Sequence, residues 1–399
     1  MMNQPQMMNN PGAYAPTLMM ITPSKNRRAL KWLFGIIAFL FFTLVGLLVL
    51  GLIRGELMER GGVEAGPIAF MVGMVFAMLP VPIYIMLILW IDRYESEPMW
   101  MLATAFIWGA TVAVLASYII NTINHIIAAS MWGHDVGELF SAVISAPVVE
   151  ETSKAFILFI LFFCKKDEFD GIIDGIVYAG MVGLGFAMTE NVQYYGKAAL
   201  SGGVEGSVVL FIIRGGIAPF SHPLFTSMTG IGLGWARQSN SKAIKFIMPL
   251  IGFGLAMLLH ASWNLSASLG PVIFFLTYGA LMIPIFISAL ISIIFALRRE
   301  GRIVREHLLC DLQRGIFSQE EYNRLCSVSG RMGASFRALA RGGVGKWRAR
   351  MDYNQAASEL AFHRSRVARG IRSSPQAAQE REAAYLQLLH ELRQRLGSH

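Results

Sequence analysis

Long apolar runs, each bounded by charged or turn-forming residues, recur between residues 32 and 297. Each run is long enough for a helix of about 20 residues to cross the roughly 30 Å hydrocarbon core of a bilayer. We therefore predict an all-α fold, a polytopic membrane bundle of about eight transmembrane helices. The predicted spans lie near residues 32–53, 67–91, 100–130, 139–164, 173–196, 207–236, 243–269 and 272–297.

The composition agrees with this pattern, because 54% of the residues are hydrophobic and only 15% are charged, against about 25% charged in an ordinary soluble domain. Residues 1–297 carry 15 Lys and Arg against 16 Asp and Glu, whereas residues 298–399 carry 19 against 10. The sequence thus divides into a disordered, Met-, Asn- and Pro-rich segment 1–29, a transmembrane domain 30–297 and a basic tail 298–399 that is helical or partly disordered.

Basic residues fill alternate loops between the predicted spans. They are Lys25, Arg27, Arg28, Lys31, Arg93, Lys165, Lys166, Arg237, Lys242, Lys245, Arg298 and Arg299. Because Lys and Arg accumulate on the cytoplasmic side, we expect a multi-pass protein of the cytoplasmic membrane with both termini in the cytoplasm. Within the tail, Ser318 followed by Glu321 predicts a helix start, and the apolar spacing over 376–396 predicts an amphipathic helix.

Ionisable side chains lie inside four of the predicted spans, where an unpaired charge costs several kcal/mol. They are Glu150, Glu151, Lys154, Glu190, Arg214, His222 and His260, and Asn191 and Asn264 accompany them. One group of each span lies 15 or 16 residues from a charge at the inner end of that span, or about 22 to 24 Å along a helix. We expect these four groups, Glu150, Glu190, His222 and His260, to share one polar layer in the outer half of the membrane.

The spacing of these groups favours hydrolytic chemistry in a wet pocket. Lys154 lies three and four residues after the two adjacent glutamates, so it can pair with either of them on one helix face. Pro219 and Pro223 bracket His222, and the carbonyls they free require protein or water nearby. A carboxylate in such a pocket can act as a general base toward water, and His or Asn can stabilise an oxyanion. The sequence has no H-E-x-x-H zinc motif.

Four ordered motifs between residues 92 and 264 closely resemble the PrsW-type intramembrane proteases. They are Asp-Arg-Tyr-Glu-x-Glu-Pro at 92–98, Glu-Glu-Thr-Ser-Lys at 150–154, the stretch 174–191 that ends in Phe-Ala-Met-Thr-Glu-Asn, with His222 after it, and His-Ala-Ser-Trp-Asn at 260–264. The wider superfamily includes the type II CAAX prenyl endopeptidases and bacteriocin-immunity-type proteins.

The resemblance implies a role for each matching residue. Glu150 would activate water, with Glu151 and Lys154 orienting or neutralising it. Glu190 would be a second base or a member of the same polar cluster as His222, and His260 and Asn264 would hold the oxyanion. The supporting residues are Lys154, Phe186, Asn191 and Arg214.

The resemblance further implies an endopeptidase that cuts a membrane-anchored protein similar to an anti-sigma factor, using glutamate-activated water. We expect no metal cofactor, although the acids and histidines leave a divalent ion such as zinc open. The basic tail suggests contact with anionic lipid of the bilayer. We expect no nucleic-acid partner, and the oligomeric state stays open. The alternatives are an ion- or proton-coupled transporter and a non-catalytic protein that binds or chaperones membrane proteins.

Overall fold

A computed structural model describes residues 25–166, 168–370 and 374–397, and within these ranges all regular secondary structure is helical. The α-helices are α1 (Lys25–Met78), α2 (Val81–Ile91), α3 (Met99–Trp108), α4 (Val114–Trp132), α5 (His134–Phe140), α6 (Ala146–Cys164), α7 (Ile172–Phe211), α8 (Ser221–Gln238), α9 (Lys242–Ser268), α10 (Pro271–Thr277), α11 (Ile283–Gln313), α12 (Gln319–Leu325), α13 (Val328–Ala368) and α14 (Pro375–Gly397). The π-helical segments are Gly109–Ala113, Ser141–Ser145, Ile212–Ile217 and Tyr278–Met282.

Three of the long helices reverse direction at a glycine. Gly62 in α1, Gly203 in α7 and Gly343 in α13 have φ of 68°, 63° and 66°, in the left-handed region that glycine enters without steric cost. After the second break, the Ser207 hydroxyl donates to the Tyr195 carbonyl at 2.8 Å, a contact that a straight helix of 1.5 Å per residue cannot make. Each break therefore produces a helical hairpin.

Five helical stretches are long and apolar enough to cross a membrane: Gly35–Ile91, Met99–Trp132, Ile172–Gln238, Lys242–Ser268 and Pro271–Gln313. The all-α, polytopic membrane fold predicted from the sequence is confirmed. The number of spans stays a prediction at eight, because Gly35–Ile91 and Ile172–Gln238 contain the hairpin breaks and α6 is too polar to count among the five.

The stretch Ile172–Gln238 forms the centre of the bundle. An 18-residue apolar window of this stretch is 89% buried, whereas the corresponding windows of the other four are 17–33% buried. Helix α7 packs against α1, α3 and α8, and α8 packs against α9. The outer helices thus offer large apolar surfaces to lipid, and the polar residues of α6, α7, α8 and α9 face one another.

The tail is folded against the membrane domain. Helix α11 continues without a break through residue 298 to Gln313, so the predicted domain boundary lies within a helix. Both tail predictions are confirmed, because Ser318 Oγ accepts from the Glu321 amide at 3.2 Å and α14 covers the amphipathic stretch. At the other end, α1 begins at Lys25; residues 1–24 lie outside the described ranges, and the disordered segment 1–29 stays a prediction.

Candidate active site

Helix α6 carries three charged residues at the centre of the bundle. Lys154 is completely buried, and its Nζ lies 2.8 Å from Glu151 Oε1 and 3.5 Å from Glu150 Oε2. Glu151 is completely buried as well, and its second oxygen, Oε2, accepts a hydrogen bond from Thr226 at 3.0 Å. Both oxygens of Glu151 are therefore occupied, as a structural anchor requires.

Glu150 differs from its neighbour in its hydrogen bonding. Glu150 is 7% exposed, and its buried Oε2 has no hydrogen-bond partner in the described part of the chain. A buried carboxylate oxygen without a donor is costly and requires an explanation. Glu150 is thus the carboxylate of α6 that is available to water or to a substrate.

Two histidines complete the cluster, one from α8 and one from α9. Lys154 Nζ lies 3.0 Å from His222 Nδ1, and His222 Nε2 lies 2.9 Å from Glu190 Oε2. An ammonium group can only donate. His222 Nδ1 must therefore accept, so Nε2 carries the proton of the neutral ring and donates it to Glu190.

His260 lies between the two adjacent glutamates of α6. Its Nδ1 is 3.1 Å from Glu151 Oε1, and its Nε2 is 3.8 Å from Glu150 Oε2. When the neutral ring donates Nδ1–H to Glu151, Nε2 becomes an acceptor that faces a second acceptor, Glu150. The space between these two atoms suits a proton donor or a cation.

Glu190 has two cationic or proton-donating neighbours. Arg214 donates to Glu190 Oε2 at 2.7 Å and to Asn191 Oδ1 at 2.6 Å, and its guanidinium lies 3.9 Å from the Tyr194 ring centroid. Because Arg214 and His222 both bind the same oxygen of Glu190, this glutamate is more tightly held than Glu150.

Phe186 and Asn264 occupy the edge of the cluster. Lys154 Nζ lies 3.8 Å from the Phe186 ring centroid, a distance typical of a cation–π contact. Asn264 donates from Nδ2 to the Ala142 carbonyl at 2.8 Å, which ties α9 to the π-helical segment Ser141–Ser145. One of its two amide hydrogens is therefore used for packing.

The local chain geometry brings α8 close to α7 at the cluster. The chain leaves helical geometry between Ile217 and Ser221, as the prolines around His222 predict. A Cβ on Gly183 of α7 would lie 2.7 Å from the Pro223 nitrogen. Only glycine permits this approach, so His222 reaches Glu190 and Lys154 because position 183 has no side chain.

The described residues place the predicted site residues in one cluster, with Asn264 at its periphery. Two further members were missed, Thr226 and Tyr194. Each lies four residues after a predicted member, His222 or Glu190, on the same helix face. Helical spacing could therefore have identified both of them.

A cavity of about 530 Å³ leads to the cluster between α1, α4 and α7. Glu150, Glu190, Glu56, Asn121 and Gln193 are among its polar lining residues, and apolar side chains such as Val49, Leu52 and Ile53 line it as well. The cavity therefore gives two carboxylates of the cluster access to a polypeptide or to water.

The donor set can hold a metal ion. Glu150, His222 and His260 each offer one ligand atom, and the three atoms lie within 4.8 Å of one another. Two histidines and one glutamate form a known catalytic zinc set, and the Nδ1 contact of His260 with Glu151 is the support such a ligand needs. Lys154 Nζ lies beside two of the three ligands, where it would compete with an ion.

A second polar cluster lies in the loop between α2 and α3. Asp92 and Glu97 are 3% and 5% exposed, Asp92 Oδ2 accepts from the Glu97 amide at 2.8 Å, and Tyr178 donates to Glu97. Burial raises the pKa of Asp92 to about 8 and that of Glu97 to about 11. This cluster is described below as the loop cluster.

Comparison with known proteins identifies the family. The profile of a family described as "PrsW family intramembrane metalloprotease" matches residues 97–289. The protein is 32% identical over 173 residues to "Protease PrsW" of Geobacillus kaustophilus, 33% over 175 residues to that of Bacillus subtilis and 30% over 169 residues to that of Oceanobacillus iheyensis.

These alignments cover 43%, 43% and 42% of this chain and 69%, 72% and 71% of the respective relatives. No solved structure gives a significant match. The aligned share includes most of each relative, which confirms the resemblance found in the motifs. The chain belongs to the PrsW family and is a multi-pass intramembrane protease, a peptide hydrolase of the bilayer.

Proposed function

We propose that this protease hydrolyses a peptide bond of a membrane-anchored protein with a water molecule activated by Glu150. The observation that supports this role is the buried Glu150 Oε2, which lacks a hydrogen-bond donor among the described residues and belongs to a side chain that lines the cavity. Glu150 takes a proton from water as the water oxygen attacks the carbonyl carbon. The same proton then passes to the nitrogen of the leaving amine.

The neighbouring residues hold Glu150 and the developing charge. Glu151 and Lys154 fix the position of the helix face, and Lys154 supplies a positive charge 3.5 Å from Glu150 Oε2. His260, once protonated at Nε2, and the second amide hydrogen of Asn264 donate to the oxyanion. On the other side of Lys154, Glu190 binds Arg214 and His222 and so keeps the His222 ring oriented.

The shape of the cavity supports an extended substrate. A transmembrane helix hides its peptide bonds within its own hydrogen bonds, so a segment must unwind before hydrolysis. The polar wall near Asn121 and Gln193 offers partners to the freed backbone groups. A single-span protein with a short unwound stretch beside the membrane surface, similar to an anti-sigma factor, fits this site.

From the charges of the loops, we further propose that the protein lies in the cytoplasmic membrane with both termini in the cytoplasm. This topology places Glu150 and Glu190 in the outer half of the bilayer, where the outer part of a substrate is within reach. Labelling of single cysteines introduced at the exposed positions Val136 and Val204, with a reagent that cannot cross the membrane, tests this orientation. If both cysteines were labelled only from the cytoplasmic side, the protein would have the opposite orientation in the membrane.

The metal dependence of the reaction defines a second candidate mechanism, which the ligand set Glu150, His222 and His260 favours. A divalent ion held there would supply chemistry of its own by lowering the pKa of a bound water. Metal analysis of the purified protein separates the two mechanisms. Activity that survives complete chelation supports the metal-free site that the sequence predicts. One bound ion, lost in His222→Ala and His260→Ala, contradicts it.

The proposed function is tested in cells that carry the wild-type protein, Glu150→Gln or the control Glu205→Gln at equal abundance. Glu205 is an exposed glutamate beside the α7 hairpin, so its substitution leaves the site intact. In cells with the wild-type protein or the control, we expect cleavage to create a new N-terminus in one or a few membrane proteins. In cells with Glu150→Gln, these N-termini should be absent. Identical sets of N-termini in all three strains would refute proteolysis at Glu150.

A further inference from the structure

Three arginines form a row on α11 where this helix leaves the apolar part of the chain. Arg298, Arg302 and Arg305 are spaced by four and three residues and therefore share one helix face. All three are exposed, and none lies within 4.0 Å of a carboxylate in the described ranges. The row is thus a concentrated positive charge without an acidic partner.

The arginine row lines a cavity of about 1000 Å³ between the helix ends and the tail. The other half of the cavity is apolar, because Trp90, Ile294 and Phe295 line it and are 46%, 48% and 63% exposed. Ile294 and Phe295 lie one turn before Arg298 on the same helix. The cavity therefore has an apolar part and a cationic part, which follow one another along α11.

The tail closes the far side of this cavity. Met332 of α13 lies 3.0 Å from the Arg93 guanidinium, and Arg93 in turn lies 3.7 Å from the Trp90 ring centroid. This chain of contacts holds α13 against the end of α2. The cavity is consequently a walled site and not a flat basic surface.

We propose that this cavity binds an anionic phospholipid, with the phosphate on Arg298, Arg302 and Arg305 and the acyl chains along Ile294 and Phe295. Arginine pairs with phosphate through two parallel hydrogen bonds, and a basic pocket beside transmembrane helices is a recognised form of headgroup site. The apolar half distinguishes a lipid from free phosphate, since a soluble anion gains nothing from Phe295. The site is remote from Glu150 and does not depend on the proposed function.

The chain offers a matched control for charge. Arg341, Lys346 and Arg348 of α13 line a different cavity, which contains no large apolar side chain. Replacing the three basic residues with glutamine at either place removes the same charge. Only one of the two triple variants touches the proposed lipid site.

The experiment uses the full-length protein in a neutral detergent, titrated with phosphatidylglycerol or with phosphatidylcholine of the same acyl chains, and counts bound lipid by native mass spectrometry. We expect tight binding of phosphatidylglycerol only. The variant Arg298→Gln/Arg302→Gln/Arg305→Gln should weaken it on the order of 100-fold, at about a factor of five per surface charge, whereas Arg341→Gln/Lys346→Gln/Arg348→Gln should retain it.

Three outcomes would overturn the proposal. Equal binding of both lipids would show that the headgroup charge does not matter. Equal loss in the two triple variants would show a diffuse electrostatic effect. Competition by glycerol phosphate as strong as that by the intact lipid, together with unchanged binding by Phe295→Ala, would show a site for soluble phosphate.

Discussion

The group formed by Glu150, Glu151, Lys154, Glu190, Arg214, His222 and His260, called here the active-site cluster, and the loop cluster both bury carboxylates. The two clusters provide these carboxylates with different partners. In the active-site cluster, three glutamates meet two permanent cations, Lys154 and Arg214, and one carboxylate oxygen remains without a donor among the described residues. In the loop cluster, Tyr178 donates a hydrogen bond to Glu97 and the Glu97 amide donates one to Asp92 Oδ2, while Asp92 Oδ1 also lacks a donor among the described residues. The two clusters therefore differ in their cations and not in the presence of an unpaired oxygen. Burial without a cation raises the pKa of both acids.

This difference separates the site that we propose to be catalytic from one that holds the structure. Glu150 lies 3.5 Å from the Lys154 ammonium group and lines a cavity. Asp92 and Glu97 face protein and are most stable when protonated. The tail then covers the loop region, since Arg366 pairs with Glu95 and lies 3.6 Å from Asp170.

The largest effect is expected from Lys154→Met, which removes the buried cation that two glutamates of the active-site cluster share. Leaving a buried charge without its partner costs about 3 to 5 kcal/mol. We expect loss of that stability in thermal unfolding in detergent, and partial recovery in Glu151→Gln/Lys154→Met. If Lys154→Met were as stable as the wild type, the two glutamates beside position 154 would carry no unpaired charge in the variant.

Substitution of one glutamate in each cluster separates chemistry from structure. Glu150→Gln should lower the rate of cleavage of an identified substrate on the order of 10³-fold, within the range for loss of a general base, and leave the unfolding temperature nearly unchanged. Glu97→Gln should retain the rate, because glutamine can still accept from Tyr178. Comparable rate losses in both variants would contradict the separation.

The loop cluster should make stability depend on pH. Asp92 has a pKa of about 8 in the folded protein and an ordinary value of 3.8, so the folded state retains a proton that the unfolded chain releases between these values. The contribution of Asp92 to the free energy of unfolding is therefore fully present below pH 4. It is lost as the pH rises to 8, by up to about 1.4 kcal/mol per pH unit.

This pH dependence is measured by chemical unfolding at several pH values between 5 and 8. Asp92→Asn should reduce the slope by about one proton, and the exposed Asp352→Asn should leave it as in the wild type. An unchanged slope in Asp92→Asn would mean that this acid is ionised in the folded protein.

The smallest effect is expected where the tail meets the loop. Arg366→Gln removes a partly exposed ion pair with Glu95, and such pairs contribute about 1 kcal/mol or less. We expect a lowering of the unfolding temperature by a few degrees or less, with Arg337→Gln as the exposed control. A loss as large as that in Lys154→Met would make the tail contact a principal element of the fold.

Much of the site could be predicted from the sequence. A charged residue inside an apolar run is costly, so Glu150, Glu190, His222 and His260 stand out without any structure, and equal distances from the span ends indicated one layer. In the structure, Glu190 contacts His222, and His260 lies beside both glutamates of α6. Their catalytic roles stay predictions.

The sequence by itself determined the membrane class, the helical elements and the residues that need partners, because the bilayer penalises every unsatisfied polar group. Only the tertiary structure decided which partner each one has. It placed Lys154 between two helices, bound Asn264 to Ala142 and left Glu150 facing a cavity. These outcomes depend on how helices rotate and approach one another, which local spacing along the chain does not specify.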